Sequence, residues 1–159
     1  ASVAMGDACM SQGLQVIPLS KKTGDALKEF VPTEGRILVN PMDVWGVGAE
    51  PEGLIRILDL VFSDPNVDVA IIHIATRIFL GYHSEETFDA VMDALIDFRN
   101  KKGKHIVAVL NPSIHEALQS ELAKKLAAAN IPSHPTFERA AKAIVNVSNY
   151  WRTRASAEG

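Results

Sequence analysis

Apolar residues recur along this chain at three- and four-residue spacing, and those stretches alternate with short runs rich in β-branched residues. Residues 2–12 read as a helix with Val3, Met5, Cys9 and Met10 as its apolar positions and Gly13 as its C′ stop. Leu14-Gln15-Val16-Ile17 reads as a short strand. A second, more polar helix spans residues 21–30, with Leu27 and Phe30 inward. Residues 32–35 form a break, and Ile37-Leu38-Val39 is a brief extended piece. Pro51 suits the first position of a helix. Leu54, Ile55, Leu58 and Val61 then give the i, i+1, i+4, i+7 stripe of a helix lying on a sheet, until Ser63-Asp64-Pro65-Asn66 stops it.

The next run, residues 67–74, is nearly continuous in β-branched residues, the pattern of a parallel strand covered on both faces. Residues 85–102 predict a helix with Phe88, Val91, Met92, Leu95 and Phe98 on one side and Gly103 at its end. Residues 105–110 are another buried strand. Ser113-Ile114-His115-Glu116 has the form of a capping box, restrained by Pro112, and opens a helix to about Asn130. Ile131-Pro132-Ser133 is a last, short strand, placed at a sheet edge because proline cannot donate to a ladder. Residues 137–154 are a final helix with Ala140, Ala141, Ile144, Val145 and Val147 inward, and with Arg152 and Arg154 at its negative end.

Strand alternating with helix implies the α/β class: a mostly parallel sheet wrapped on both faces, with right-handed crossovers. The length of 159 residues suits one domain over 1–159 with a core of its own. Such units normally begin on a central strand, yet this pattern begins on a helix. The expectation is that a first strand and a tight turn precede Ala1 in a larger protein, the alternative being a native start at a helix.

Composition narrows the function classes. Apolar residues make up 47%, charged residues 22%, and the net charge is −3. No basic excess points to nucleic acid, and no apolar run reaches the length of a membrane span. The single Cys9 excludes an internal disulfide and a cysteine-built zinc site. It reads as an inert buried thiol, in keeping with a reducing cytoplasm. Residues 1–14 carry neither a charged leader nor a long apolar block.

In open parallel sheets, ligands gather outside the carboxyl ends of the strands. That rule selects the helix start at Ala1-Ser2, residues 75–84, residues 111–113 and residues 133–136. Helix starts offer unpaired N–H groups to an anion, although Ser84, Ser113 and Thr136 equally suit plain helix caps. Of the five histidines, His73 reads as a hydrogen-bonded core residue. His105 sits at the surface beside lysines, His115 follows a cap, and His134 lies in a loop. His83, at the mouth of a helix between Tyr82 and Ser84, is the candidate placed best for chemistry. No histidine pair has metal-ligand spacing. The chain holds no G-x-S-x-G elbow, no G-x-x-x-x-G-K-[ST] phosphate loop and no intact G-x-G-x-x-G. Gly46-Val47-Gly48 follows no clear strand.

Three segments resemble a known family, the nucleoside-diphosphate-forming acyl-CoA synthetases of the succinyl-CoA ligase superfamily. Residues 1–9, Ala-Ser-Val-Ala-Met-Gly-Asp-Ala-Cys, resemble the helix that follows a Gly-Gly turn in those enzymes. Asn40-Pro41-Met42-Asp43-Val44 is similar to their Asn-Pro-x-Asp-[Val/Leu] phrase, and to an Asn-Phe-Leu-Asp-Val phrase of succinyl-CoA ligase beta subunits. Residues 131–140 resemble their closing Ile-Pro-x-x-x-[Thr/Ser]-x-Glu-Arg-Ala phrase. The resemblance covers nearly the whole chain and implies the second flavodoxin-like, ligase-CoA type domain, a three-layer sandwich.

The resemblance further implies a cytoplasmic parent that interconverts acyl-CoA, NDP and phosphate with acid, CoA and NTP through a phosphohistidine on a neighbouring domain. CoA, nucleotide and magnesium would then belong to the parent, with no cofactor or metal held by this domain. The implied partners are the CoA-binding, phosphohistidine and nucleotide-grasp domains, in a possible oligomer, with neither nucleic acid nor membrane. No catalytic residue is implied in this chain, so the piece alone should be inactive. Its implied contribution is to hold a phosphoryl anion at opposed helix starts, with Ala1, Ser2, Val3, Asn40, Asp43, Thr76 and Arg77 as the matching positions. Residues 75–77 follow the strand that carries a Gly-Gly turn in succinyl-CoA ligases. Here no glycine occurs before Gly81 and Arg77 is present, a departure that leaves open a non-catalytic interaction or regulatory domain of the same fold. A stand-alone small-molecule binder is a further reading.

Overall fold

A computed structural model describes residues 2–33, 37–112 and 115–157. Among them, three parallel strands pair in the order β1 (Val69–His73), β2 (His105–Val109), β3 (Ser133–His134). The helices are α1 (Ser2–Ser11), α2 (Lys21–Lys28), α3 (Pro51–Ser63), α4 (Thr76–Tyr82), α5 (Glu85–Lys102), α6 (Glu116–Ala128) and α7 (Phe137–Ala157), with a 3-10 turn at Val47–Ala49. The register aligns Val69 with His105 and His73 with Val109, so the carboxyl ends of β1 and β2 lie level.

The pleat sorts side chains between two layers of helix. Val69 and Ile71 join Val107, Val109 and the α7 residues Ala140 and Ile144 on one face. Ala70 and Ile72 turn the other way, into the main core. There they meet Leu58 and Phe62 of α3, Phe88, Val91 and Leu95 of α5, and Leu122 and Leu126 of α6. α1 packs on α7. A smaller cluster seats α2 on α3 through Leu27, Val31, Ile57 and Val61.

Local chemistry sets the boundaries. Gly13 has φ 87°, and the N–H groups of Gly13 and Leu14 donate back to Met10 and Cys9, which closes α1 as a Schellman motif. The Ser84 hydroxyl caps α5 by accepting from the Thr87 N–H at 3.1 Å, and Gly103, at φ 64°, ends that helix. Pro51 starts α3 as expected. Cys9 is buried, and that burial raises its thiol pKa, as suits an inert thiol.

Several expectations change. Residues 14–17 form no strand, because no described strand lies beside them to complete a ladder. β1 is shorter than residues 67–74, and although helices cover both of its faces, all five of its residues are only half-buried. Residues 75–84 are not a loop: they contain α4. Val3, Met10 and Val147 are exposed, since α1 and α7 bury narrower stripes, centred on Gly6, Ala8 and Cys9 and on Ala140 and Ala141. His134 lies in β3, not in a loop. Ser113 and Ile114, half of the capping box, fall outside the described residues, and α6 begins at Glu116.

One buried carboxylate joins two helices. Asp64 ends α3, and its two oxygens accept from the Ser20 N–H at 2.7 Å and the Asn66 N–H at 3.0 Å. A hydrogen bond from the Thr23 side chain is the largest influence on Asp64. With those two backbone bonds it holds the carboxyl at about 2, below the ordinary 3.8, against the opposing effect of burial. Folding therefore favours the ionised form. The stabilisation is complete above 3.8 and is lost as pH falls through about 2. Asp64→Asn is expected to flatten the dependence of the melting temperature on pH across that window. Equal slopes for the two proteins would show that Asp64 is not coupled to folding.

Candidate functional site

Among the described residues, β1 has a neighbouring strand on one side alone. Along its other edge runs a groove of about 1040 Å³, floored by β1 and the residues that flank it. Leu54 and Leu58 of α3 and Val91 and Leu95 of α5 form one wall; Met5 and Cys9 of α1 and Val145 and Ser148 of α7 form another. At its rim stand Asn40, Asp43 and Trp45, together with Ala75, which follows the carboxyl end of β1. The groove thus opens beside two of the four places that the strand-end rule selects, the start of α1 and the carboxyl end of β1.

The candidate residues divide. Ser2, Asn40 and Asp43 line the groove with Ala75, the residue just before Thr76. Val3 is 71% exposed, Arg77 is also exposed, and neither lines it. Ala1 lies outside the described residues. Asn40 and Asp43 already have structural work. Asn40 Nδ2 donates to the Ile17 carbonyl at 3.0 Å, and Asp43 Oδ1 accepts from the Trp45 N–H at 3.3 Å. The Asp43 N–H donates to the Ile37 carbonyl at 2.7 Å, so the phrase around Pro41 is a tied-down loop. Pro41 also packs on α1: a Cβ added to Gly6 would lie 3.2 Å from Pro41 Cγ.

Thr76 does not itself line the groove, lying one residue behind Ala75, and it differs from the others. It is 2% exposed, and its hydroxyl oxygen has no hydrogen-bond partner. It is the first residue of α4, whose preceding residue, Ala75, offers no side-chain cap. The Ser84 and Thr136 hydroxyls, by contrast, accept from the N–H groups of Thr87 and Arg139, so those two serve as caps.

His83 ends α4 and belongs to an aromatic cluster. Its ring centroid lies 4.8 Å from Phe79 and 5.9 Å from Trp45. Trp45 also meets Phe79 edge-on at 5.8 Å and Tyr82 at 6.3 Å. Sequence reasoning missed this cluster. The signal was the spacing of Phe79, Tyr82 and His83, the i, i+3, i+4 face of a helix, inside a stretch read as loop. His73 packs edge-on against Phe137 at 5.1 Å. Burial lowers its pKa, against a hydrogen bond with Asn111 that raises it, which suits a neutral core imidazole.

Among the described residues no group of three or more His, Cys, Asp or Glu side chains could hold a metal ion, and no helix is long and apolar enough to cross a membrane. No protein-family model matches the chain. It is 30% identical over 137 residues to the alpha subunit of acetate–CoA ligase (ADP-forming) II from Pyrococcus furiosus, a match over 86% of this chain and 28% of that subunit. The crystal structure of PH0766 from Pyrococcus horikoshii OT3 superposes with a TM-score of 0.68 at 22% identity, over 89% of this chain and 31% of the other. That likeness shows the fold: the three-layer α/β sandwich of a flavodoxin-like domain. The chain therefore spans about a third or less of each relative.

Proposed function

We propose that this chain, which belongs to the NDP-forming acyl-CoA synthetase family, acts as a phosphoryl-holding and domain-packing module of such an enzyme. The parent reaction would be acyl-CoA + ADP + phosphate to acid + CoA + ATP, through a phosphohistidine carried on another domain. CoA, nucleotide and magnesium would sit on the other domains, and the isolated chain would be inactive. A phosphohistidine is a concentrated anion, stabilised best by donors fixed in advance at a site that excludes water.

The observation that carries this reading is the buried, unpartnered Thr76 hydroxyl at the uncapped start of α4. A buried hydroxyl left unpaired costs about 1–3 kcal/mol, so a site that keeps one gains when an acceptor arrives. The first turn of α1 at Ser2 borders the same groove as Ala75. Two helix starts would thus offer N–H groups and positive dipole ends to one anion. Asn40 and Asp43 would act indirectly, by fixing the loop that bears on α1.

Inorganic phosphate titrated into the isotope-labelled chain is expected to shift the amide signals of Ser2, Thr76 and Arg77. Thr76→Val should weaken that binding by roughly tenfold or more, the loss of one hydrogen bond to a charged group. Shifts confined to surface lysines would sink the reading. They would favour a non-catalytic interaction domain, a reading left open by the exposed Arg77 and by the lack of glycine before Gly81 where the family resemblance implies a Gly-Gly turn.

A further inference from the structure

α7 runs on past the sheet it covers. Its apolar stripe starts with Ala140 and Ile144 against the strands and continues as Val147, Tyr150, Trp151 and Arg154, the i, i+3, i+4, i+7 face of a helix. Val147, Tyr150 and Trp151 are each more than half exposed. The Tyr150 and Trp151 rings meet edge-on at 5.5 Å, and the Arg154 guanidinium lies 5.7 Å from the Trp151 ring. Tyr, Trp and Arg are the side chains that carry most of the energy at protein interfaces. Charge is segregated in the same way. α7 holds Arg139, Lys142, Arg152 and Arg154 against Glu138. It is thus +3 in a chain of −3, which leaves −6 on the rest.

Across the molecule, α2 and α3 border an open groove of about 540 Å³. Ala26, Ile55 and Leu60 give it an apolar floor, and Glu29, Glu52 and Asp59 stand around it. Asp59 pairs with Lys102 at 2.8 Å, whereas no ion pair among the described residues engages Glu29 or Glu52. Arg56, a cation in the same lining, lies over the Phe30 ring at 4.0 Å. α7 packs on one face of the sheet and α3 on the other, so the end of α7 cannot reach the groove of its own chain.

We propose that the end of α7 docks in the α2–α3 groove of a second copy of this chain. Tyr150 and Trp151 settle over Ala26, Ile55 and Leu60, and Arg154 faces Glu29 and Glu52. Charge complementarity selects this occupant, a basic aromatic stripe against an acidic rim with an apolar floor. An anionic bilayer would attract α7 but repel the −6 carried by the rest of the chain. Tyr150, Trp151 and the α2–α3 residues do not line the groove beside β1, so the contact stands apart from anion binding there.

So small an interface associates weakly and is read at high concentration. In sedimentation equilibrium the average mass of the 159-residue chain should rise between about 10 μM and about 1 mM. Trp151→Glu disables the helix end and leaves the groove. Glu29→Lys combined with Glu52→Lys disables the groove and leaves the helix end. All three positions are exposed, so the melting temperature should hold. Each variant alone should associate at least about tenfold more weakly. Mixed together, the two should form a one-to-one complex, because each supplies the surface that the other lacks. A chain still monomeric at about 1 mM would overturn the proposal. So would association that neither variant weakens, or a mixture that associates no better than its parts. Binding to anionic phospholipid vesicles without self-association would also overturn it, and would assign the end of α7 to a bilayer.

Discussion

Phe88→Ala is expected to destabilise the folded chain by about 3–5 kcal/mol. Phe88 is 1% exposed and sits in the main cluster with Val91, Met92, Leu95 and Phe98 of its own helix. Its ring meets Phe79 edge-on at 5.2 Å, which ties α5 to α4. Truncation removes apolar area and leaves a cavity inside the main buried cluster. Against a typical total stability of about 5–15 kcal/mol, the loss is a large fraction. Urea unfolding measures it as a lower midpoint at unchanged slope. A loss under about 1 kcal/mol would mean that the core is far looser than its burial implies. The substitution also withdraws the support of Phe79, so the near-ultraviolet signal of the aromatic cluster should weaken while helix content holds.

Gly53→Ala should be destabilising by about 1–3 kcal/mol, although alanine is the better helix former by about 1 kcal/mol. Gly53 lies in the first turn of α3, pressed on the 3-10 turn. A Cβ there would run into the Val47 carbonyl oxygen and lie 2.9 Å from Val47 Cγ1. Backbone oxygen cannot rotate out of the way as a side-chain tip can, so α3 and residues 47–49 would have to separate. Gly81 is the contrast. It lies in α4 with nothing within 4 Å of a built Cβ, so Gly81→Ala should be neutral or stabilising by up to about 1 kcal/mol. Thermal melts of the pair decide the matter. Equal and favourable shifts would show that the α3 contact is not tight.

The contrast between these glycines also shows what could be read from the sequence. Helix propensity and the apolar stripe identified α3 and α5 nearly to the residue, because Pro51, Ser84 and Gly103 act locally. The close approach at Gly53 is tertiary and leaves no local trace. Likewise, Leu14 to Ile17 have the composition of a strand, but a strand needs a neighbour, and composition cannot supply one. α4 escaped notice because seven residues with Gly81 among them give too short a period to distinguish from loop. At the site, sequence reasoning selected Ser2 by the strand-end rule and Asn40 and Asp43 by family resemblance, and the three line one groove. It could not show that Asn40 and Asp43 are engaged within their own loop, since Ile17 and Asn40 are 23 residues apart. The unpaired state of Thr76 depends on what surrounds it in three dimensions.

The position of Trp45 has a practical consequence. The chain has two tryptophans. Trp151, 58% exposed near the end of α7, should emit as a solvated indole whatever happens at the sheet. Trp45, at 38%, is packed against Phe79, Tyr82 and His83. With Trp151 replaced by Phe, emission colour and quenching by a neutral agent would report from the cluster alone, giving the rim an optical gauge that requires no added label.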